Sequence, residues 1–258
     1  MTEPEETLRT LDVSGRAIAV RSLPGAGPGV MWLGGFKSDM MGGKAEALAH
    51  WARTHGRAYV RFDYSGHGES SGRFEDGIIS AWLEDARAVF ERCTQGPQIL
   101  VGSSMGGWIA LLLARALAAE EGAAGRLKAL VLIAPAPDFT EDLMWARFSE
   151  PVRAEILARG SHALPSDYGD PYVITRALIE DGRRHLILNA PFPVGCPVRI
   201  LQGACDDAVP WQHALRLVTC LAQDDVVFTL VKDGDHRLSR PEDLERLVSV
   251  LDAIEANP

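Results

Sequence analysis

A serine at 104, an aspartate at 206 or 207 and a histidine at 236 are the side chains whose types and order could together perform acyl transfer. Ser104 is the centre of Gly102-Ser103-Ser104-Met105-Gly106. In such a GxSxG pattern the serine sits on a strained strand-to-helix turn, and the glycines let neighbouring backbone come close. Ser103, before the centre of the turn, reads as a packing residue. A serine hydroxyl is a weak nucleophile unless a base takes its proton, and the base needs an acid to orient it. Residues 202–210 put Asp206 and Asp207 just past a strand end, and only one of the two can face an imidazole. Residues 232–236 put His236 past the end of the following strand. Ser, then acid, then His is the chain order of a GxSxG hydrolase. His213 competes for the role of base, but its place in the first turn of a helix opened by Pro210 predicts a surface group. The tetrahedral intermediate also needs N–H donors. The Met105 amide qualifies because it opens a helix after the nucleophile. The Gly34-Gly35-Phe36 loop supplies a second donor, the Phe36 amide.

The elements that must position these groups follow from hydrophobic period and turn chemistry. Apolar runs at 16–22, 29–33, 57–64, 98–103, 127–134, 198–203 and 226–231 read as about seven strands. Helical spacing places Leu48, Trp51, Ala52 and His55 on one face, and Trp82, Ala86, Val89, Phe90 and Cys93 on another. Residues 105–119 are apolar nearly all round, which predicts a central buried helix, and 211–221 form a further one. Ser239-Arg-Pro-Glu242 has capping-box spacing and announces a closing helix with Leu244, Leu247, Val248 and Leu251 on one face. Strands alternating with helices imply right-handed crossovers and a mainly parallel sheet covered on both faces. The alternation breaks between 137 and 196, where short helical pieces (143–148, 151–159 and 174–181) stand among Pro and Gly. We read 1–136 and 197–258 as the core domain and 137–196 as a cap insertion over the C-terminal edge of the sheet.

Composition excludes several classes. A net charge of -9 lacks the basic face that nucleic acid or an anionic membrane surface would require. No apolar run is long enough to span a bilayer, so stable membrane insertion is not expected, and the acidic first seven residues lack the features of a secretory signal. A cytoplasmic protein is the expectation. Cys93, Cys196, Cys205 and Cys220 are widely spaced without a CxxC pair, and read as buried thiols rather than a disulfide framework or a metal site. No metal and no cofactor is implied, and the oligomeric state is unspecified.

Gly102-Ser-Ser-Met-Gly106, Asp63-Tyr-Ser-Gly-His-Gly-Glu-Ser70, Gly203-Ala-Cys-Asp-Asp-Ala-Val-Pro210 and Gly234-Asp-His236 together resemble the serine-hydrolase branch of the α/β-hydrolase superfamily. The resemblance runs from about residue 16 to the end and implies an α/β-hydrolase fold with a helical cap. In that family two residues separate the acid from Val-Pro, which maps the acid to Asp206. Gly34-Gly-Phe-Lys-Ser-Asp-Met40 and the segment 175–185 are similar to the compact palmitoyl-protein thioesterase and acyl-glucuronide esterase-like group. The resemblance implies a cofactor-free serine hydrolase acting on a carboxylic ester or thioester of a small-molecule or acylated substrate. Peptidase, lactonase or carbon–carbon hydrolase chemistry on the same residues, and a non-catalytic ligand-binding protein of this fold, are the alternatives. Two departures stand out. Gly34-Gly35 replaces the His-Gly common at the oxyanion loop, and only one strand is evident before Gly29. Among the remaining residues, Leu143, Met144, Trp145 and Phe148 are candidates to line an acyl pocket under the cap. Arg183, Arg184 and His185 could meet an anionic group. His67 reads as structural, and Cys205 as an ordinary buried thiol.

Overall fold

The computed structural model describes residues 4–120, 125–164 and 172–256. Eight strands form one sheet: β1 (Thr7–Val13), β2 (Arg16–Leu23), β3 (Ala26–Leu33), β4 (Arg57–Phe62), β5 (Gln98–Ser103), β6 (Leu127–Ile133), β9 (Val198–Gly203) and β10 (Val226–Val231). Their spatial order is β1-β2-β4-β3-β5-β6-β9-β10. From β4 to β10 every neighbouring pair is parallel, while β1 and β2 run antiparallel at one edge. The sheet therefore has one strand more than the seven expected. The missing one is β1, which is exposed along most of its length and so lacks the apolar alternation that marks a half-buried strand. Its signature lies in the turn: Ser14 and Gly15 both have positive φ (51° and 82°), as the two-residue hairpin joining Val13 to Arg16 demands.

The two faces of the sheet are sorted by the period of two within each strand. Met31, Leu33, Leu100, Leu130, Leu132 and Ile200 point to the face covered by α2 (Ile79–Cys93) and α3 (Met105–Ala118), where Trp82 and Trp108 are fully buried. Val30, Trp32, Ile99, Val101, Val131 and Leu201 point to the other face, covered by α1 (Gly43–His55) and α7 (Pro241–Glu255). Residues 105–114 of α3 are all buried, because this helix packs on the middle of the sheet and against Phe139, Leu178, Ile187 and Leu188 at once. The closing helix starts one residue later than the capping-box spacing suggested. Arg240 is its N-cap, and the Arg240 amide donates to Asp243 at 3.2 Å.

β6 pairs directly with β9, from Leu130↔Val198 to Ile133↔Leu201, so everything between them lies outside the sheet. That stretch contains α4 (Glu150–Arg159), β7 (Ser161–Leu164), β8 (Tyr172–Thr175) and α5 (Arg176–Gly182). Residues 165–171, part of the expected cap, are outside the described residues. Two of the short helices expected here take other forms. Residues 143–148 divide between a π turn at Thr140–Met144 and a 3-10 turn at Trp145–Arg147. Ile174 lies on β8, paired with His162 of β7, and the helix begins only at Arg176 with Thr175 as its cap. Val173 and Ile174 are β-branched, which favours the strand.

Candidate active site

The parallel strands deliver Ser104, Asp206 and His236 to one edge. At the end of β5 the chain turns into α3 through Ser104, whose φ of 54° and ψ of -117° lie outside the ordinary regions for a residue with a Cβ. Such a conformation costs on the order of 1–3 kcal/mol and must be held by its surroundings. The Ser104 amide donates to Ile133 O at 2.9 Å, and its carbonyl accepts from Gly107 and Ala136. Glycines are required where the turn folds back. A Cβ on Gly106 would lie 2.1 Å from Leu33 O, and one on Gly102 would lie 2.4 Å from Gly106 O.

The histidine and acid loops converge by the same device. A Cβ on Gly203 would lie 2.3 Å from Gly234 O, and the Cys205 amide donates to that same carbonyl at 2.9 Å. This brings His236 Nε2 to 3.1 Å from Ser104 Oγ and His236 Nδ1 to 2.8 Å from Asp206 Oδ2. The carboxylate of Asp206 is fully buried, whereas 32% of the His236 side chain is open. The acid is thus sheltered and the base reachable. Asp207 is exposed, and it is Asp206 that faces the imidazole. Asp206 also accepts from the Val209 amide at 2.7 Å and from Gln202 Nε2 at 3.0 Å. Gln202, wholly buried at the end of β9, was not anticipated. A glutamine directly after the buried pair Ile200-Leu201, four residues before the acid, is the available signal.

Opposite the imidazole, Gly35 to Ser38 form a turn closed by Ser38 N–H to Gly35 O at 3.2 Å. The amides of Phe36 and Met105 donate to no protein acceptor among the described residues. Free donors beside a serine hydroxyl are what a developing oxyanion requires. The Phe36 ring is clamped by Phe74 (4.8 Å between centroids), Phe139 (5.5 Å) and Trp82 (6.0 Å). Above the serine lies a mainly apolar cavity of about 380 Å³, lined by Phe36, Ser104, Met105, Phe139, Leu143, Met144, Leu164, Tyr172, Ile174, Val209 and His236 among others. It has room for an acyl chain, with the hydroxyl on its wall.

Residues 34–177 match the family model described as serine aminopeptidase, S33. The mouse mitochondrial palmitoyl-protein thioesterase ABHD10 is 37% identical over 239 residues, covering 91% of this chain and 77% of the relative. The solved structure of mouse α/β hydrolase domain-containing protein 10 superposes with a TM-score of 0.87 at 34% identity, covering 97% of this chain and 98% of the other. A crystal structure from Agrobacterium vitis S4 gives 0.91 at 47% identity, again covering 97% and 98%. The chain is an α/β hydrolase. It is an enzyme of the serine-hydrolase type.

Other expected site residues of this α/β hydrolase fall in different places. Met144 and its neighbour Leu143 line the cavity, but Trp145 and Phe148 do not. The chain passes from a π turn to a 3-10 turn between Met144 and Trp145, and Trp145 falls outside the cavity lining. Trp145 instead lies edge-on to Phe148, centroids 6.5 Å apart, beneath the guanidinium of Arg183 at 5.0 Å. Arg183, Arg184 and His185 also lie outside the cavity lining. Arg183 pairs with Glu141, Arg184 with Asp181, and His185 Nε2 lies 2.7 Å from Ser80 Oγ. The cationic side chain that does line the cavity is Arg147, which also donates to the Asp207 and Ala208 carbonyls. His213 is buried, not on the surface, with Nε2 2.7 Å from Pro137 O where the chain leaves the sheet. Of the thiols, Cys196 and Cys220 are buried, Cys93 is half-buried, and Cys205 is exposed because it stands at the tip of the acid loop. Among the described residues no helix is long and apolar enough to cross a membrane. The mouse relative is named as mitochondrial, so it gives the cytoplasmic expectation no support.

Proposed function

We propose that the protein hydrolyses a carboxylic ester or thioester through an acyl-enzyme intermediate on Ser104. The observation that carries this reading is the continuous relay of Ser104 Oγ, His236 and Asp206, at 3.1 and 2.8 Å, on the wall of an apolar cavity. His236 Nε2 takes the hydroxyl proton as Oγ bonds to the acyl carbon, and Asp206 holds the imidazole by its Nδ1–H and stabilises the imidazolium. The amides of Phe36 and Met105 receive the oxyanion, each worth about 3 kcal/mol of transition-state stabilisation. Collapse breaks the bond to the leaving oxygen or sulfur, which departs with the proton from His236. Water then attacks the acyl-enzyme with His236 again as base, releasing the acid and restoring Ser104.

The segment 137–196 serves as the cap that shapes the acyl site, with Leu143 and Met144 forming its apolar contact. By analogy with the named thioesterase relatives, an acylated protein or small acyl thioester is the favoured substrate class. Turnover of octanoyl thioester, p-nitrophenyl octanoate and aminoacyl anilides by the purified protein and by Ser104→Ala tests the reading. Hydrolysis of the first two, lost in the variant, is expected. Cleavage of the anilides alone, or turnover surviving in Ser104→Ala, would overturn it.

A further inference from the structure

The turn that carries the Phe36 amide holds an unfavourable residue. Gly35, Phe36, Lys37 and Ser38 are its four positions, closed by Ser38 N–H to Gly35 O. Lys37 has a φ of +57° and Phe36 does not share the positive sign. Positive φ at the third position alone is the signature of a type II turn, in which the peptide between the second and third residues is flipped relative to type I. That position ordinarily takes Gly or Asn, and a lysine there costs on the order of 1 kcal/mol or more. A compensating contact must hold the flipped peptide.

The contact is with His67, buried in the Ser65 to Gly68 loop. Its Nε2 lies 3.1 Å from the Lys37 amide nitrogen, the N–H of the flipped peptide itself. Its Nδ1 lies 3.2 Å from Ser65 O. An amide can only donate and a carbonyl can only accept, so the two partners dictate a neutral imidazole with the proton on Nδ1. The ring is clamped by Phe74 and Trp82, with centroids at 5.2 and 5.3 Å, the same two side chains that clamp Phe36. Trp82 Nε1 donates to Ser65 O at 3.1 Å, which fixes the acceptor below Nδ1. Three residues further along, the Met40 amide donates to Asp63 Oδ1 at 2.7 Å, a second tie between the same two loops.

From this geometry we infer that His67 is a positioning residue for the oxyanion hole, holding the 36–37 peptide in the flipped state so that the Phe36 amide stays aimed at the serine. Turning that peptide rotates the chain about the Cα of Phe36, next to the donor. His67 touches neither the cavity nor the reacting atoms. Its effect falls on the transition state, where the oxyanion exists, and not on substrate binding. The inference rests on the proposed acyl transfer at Ser104.

Steady-state kinetics on p-nitrophenyl octanoate with His67→Leu, His67→Gln and Ser104→Ala provide the test. Leucine removes the acceptor, whereas the Gln Oε1 reaches the place of Nε2. His67→Leu is expected to lower kcat by 10- to 100-fold with KM changed less than twofold, and His67→Gln to recover most of that loss. Equal losses in both variants, or a loss seated in KM, would mean a packing role and overturn the inference. If Ser104→Ala abolishes turnover while His67→Leu retains full kcat, only this inference fails. If Ser104→Ala remains active, the underlying reaction is wrong. Should His67→Leu not fold, imidazole 15N shifts of the wild-type protein decide the matter: a neutral ring protonated at Nδ1 is expected, and protonation at Nε2 contradicts the inference.

Discussion

The sheet edge that carries Ser104, Asp206 and His236 is held together by backbone, whereas the segment crossing over it is held largely by side chains. At the edge, parallel ladders fix where each strand stops, and Gly102, Gly106 and Gly203 allow main chain to meet main chain. Over the edge, Asp138 binds the amides of Ile187 and Leu188 at 2.9–3.1 Å, Arg216 pairs with Asp142, and Asp181 receives the Ser80 amide and hydroxyl. A ladder is set by many residues at once and tolerates little change, while single side-chain ties can be exchanged one at a time. This difference suits a reaction that must keep its geometry beneath a pocket that must fit its acyl group.

Substitutions at the edge should therefore act on the chemical step and leave affinity alone. His236→Ala is expected to lower kcat by about 10⁵-fold and Asp206→Asn by about 10⁴-fold, the latter because the imidazole loses its orienting acceptor. Both variants should keep a KM within about threefold of the parent, as read from initial rates on p-nitrophenyl esters. A loss confined to KM would erase the distinction between the two regions. Over the edge the pattern should reverse. Met144→Ala is expected to raise KM about fivefold for a long acyl ester and leave acetyl ester turnover unchanged, since a few buried methylene-sized contacts are lost. Trp145→Ala, outside the cavity, should change neither parameter by more than about twofold. If the two variants behave alike, the pocket is not drawn as described.

The smallest effect is on stability against pH. Burial lowers the imidazoles of His67 and His213 below the ordinary 6.5. As pH falls below that value the unfolded chain takes up protons before the folded one, so the unfolding free energy declines. The slope is at most about 1.4 kcal/mol per pH unit for each histidine. Urea midpoints measured between pH 7.5 and 5.5 should fall, and His213→Gln should make the fall shallower. An unchanged slope in that variant would place the proton uptake elsewhere.

Much of the edge was legible because its groups are tied to local patterns. GxSxG marks a strand-to-helix turn, and acids or a histidine directly after an apolar run mark strand ends. β1 escaped because an exposed edge strand carries no apolar alternation, although Ser14-Gly15 announced its hairpin. His67 reads as structural from the glycines around it, but its link to Lys37 spans two loops that sequence spacing cannot join. Gln202 was hidden within a strand, and its task depends on where Asp206 folds back. Over the edge, Trp145 and Phe148 looked like pocket residues by type alone. Their orientation follows from a π turn passing into a 3-10 turn, which no simple period describes.

The central claim is that four separate strand ends meet on one reactive hydroxyl, and a fluorophosphonate reports on it directly. Intact mass after labelling, followed by peptide mapping, should show a single adduct on Ser104, formed far more slowly in His236→Ala. A protein that stays unlabelled, or one modified at a different serine, would contradict the account.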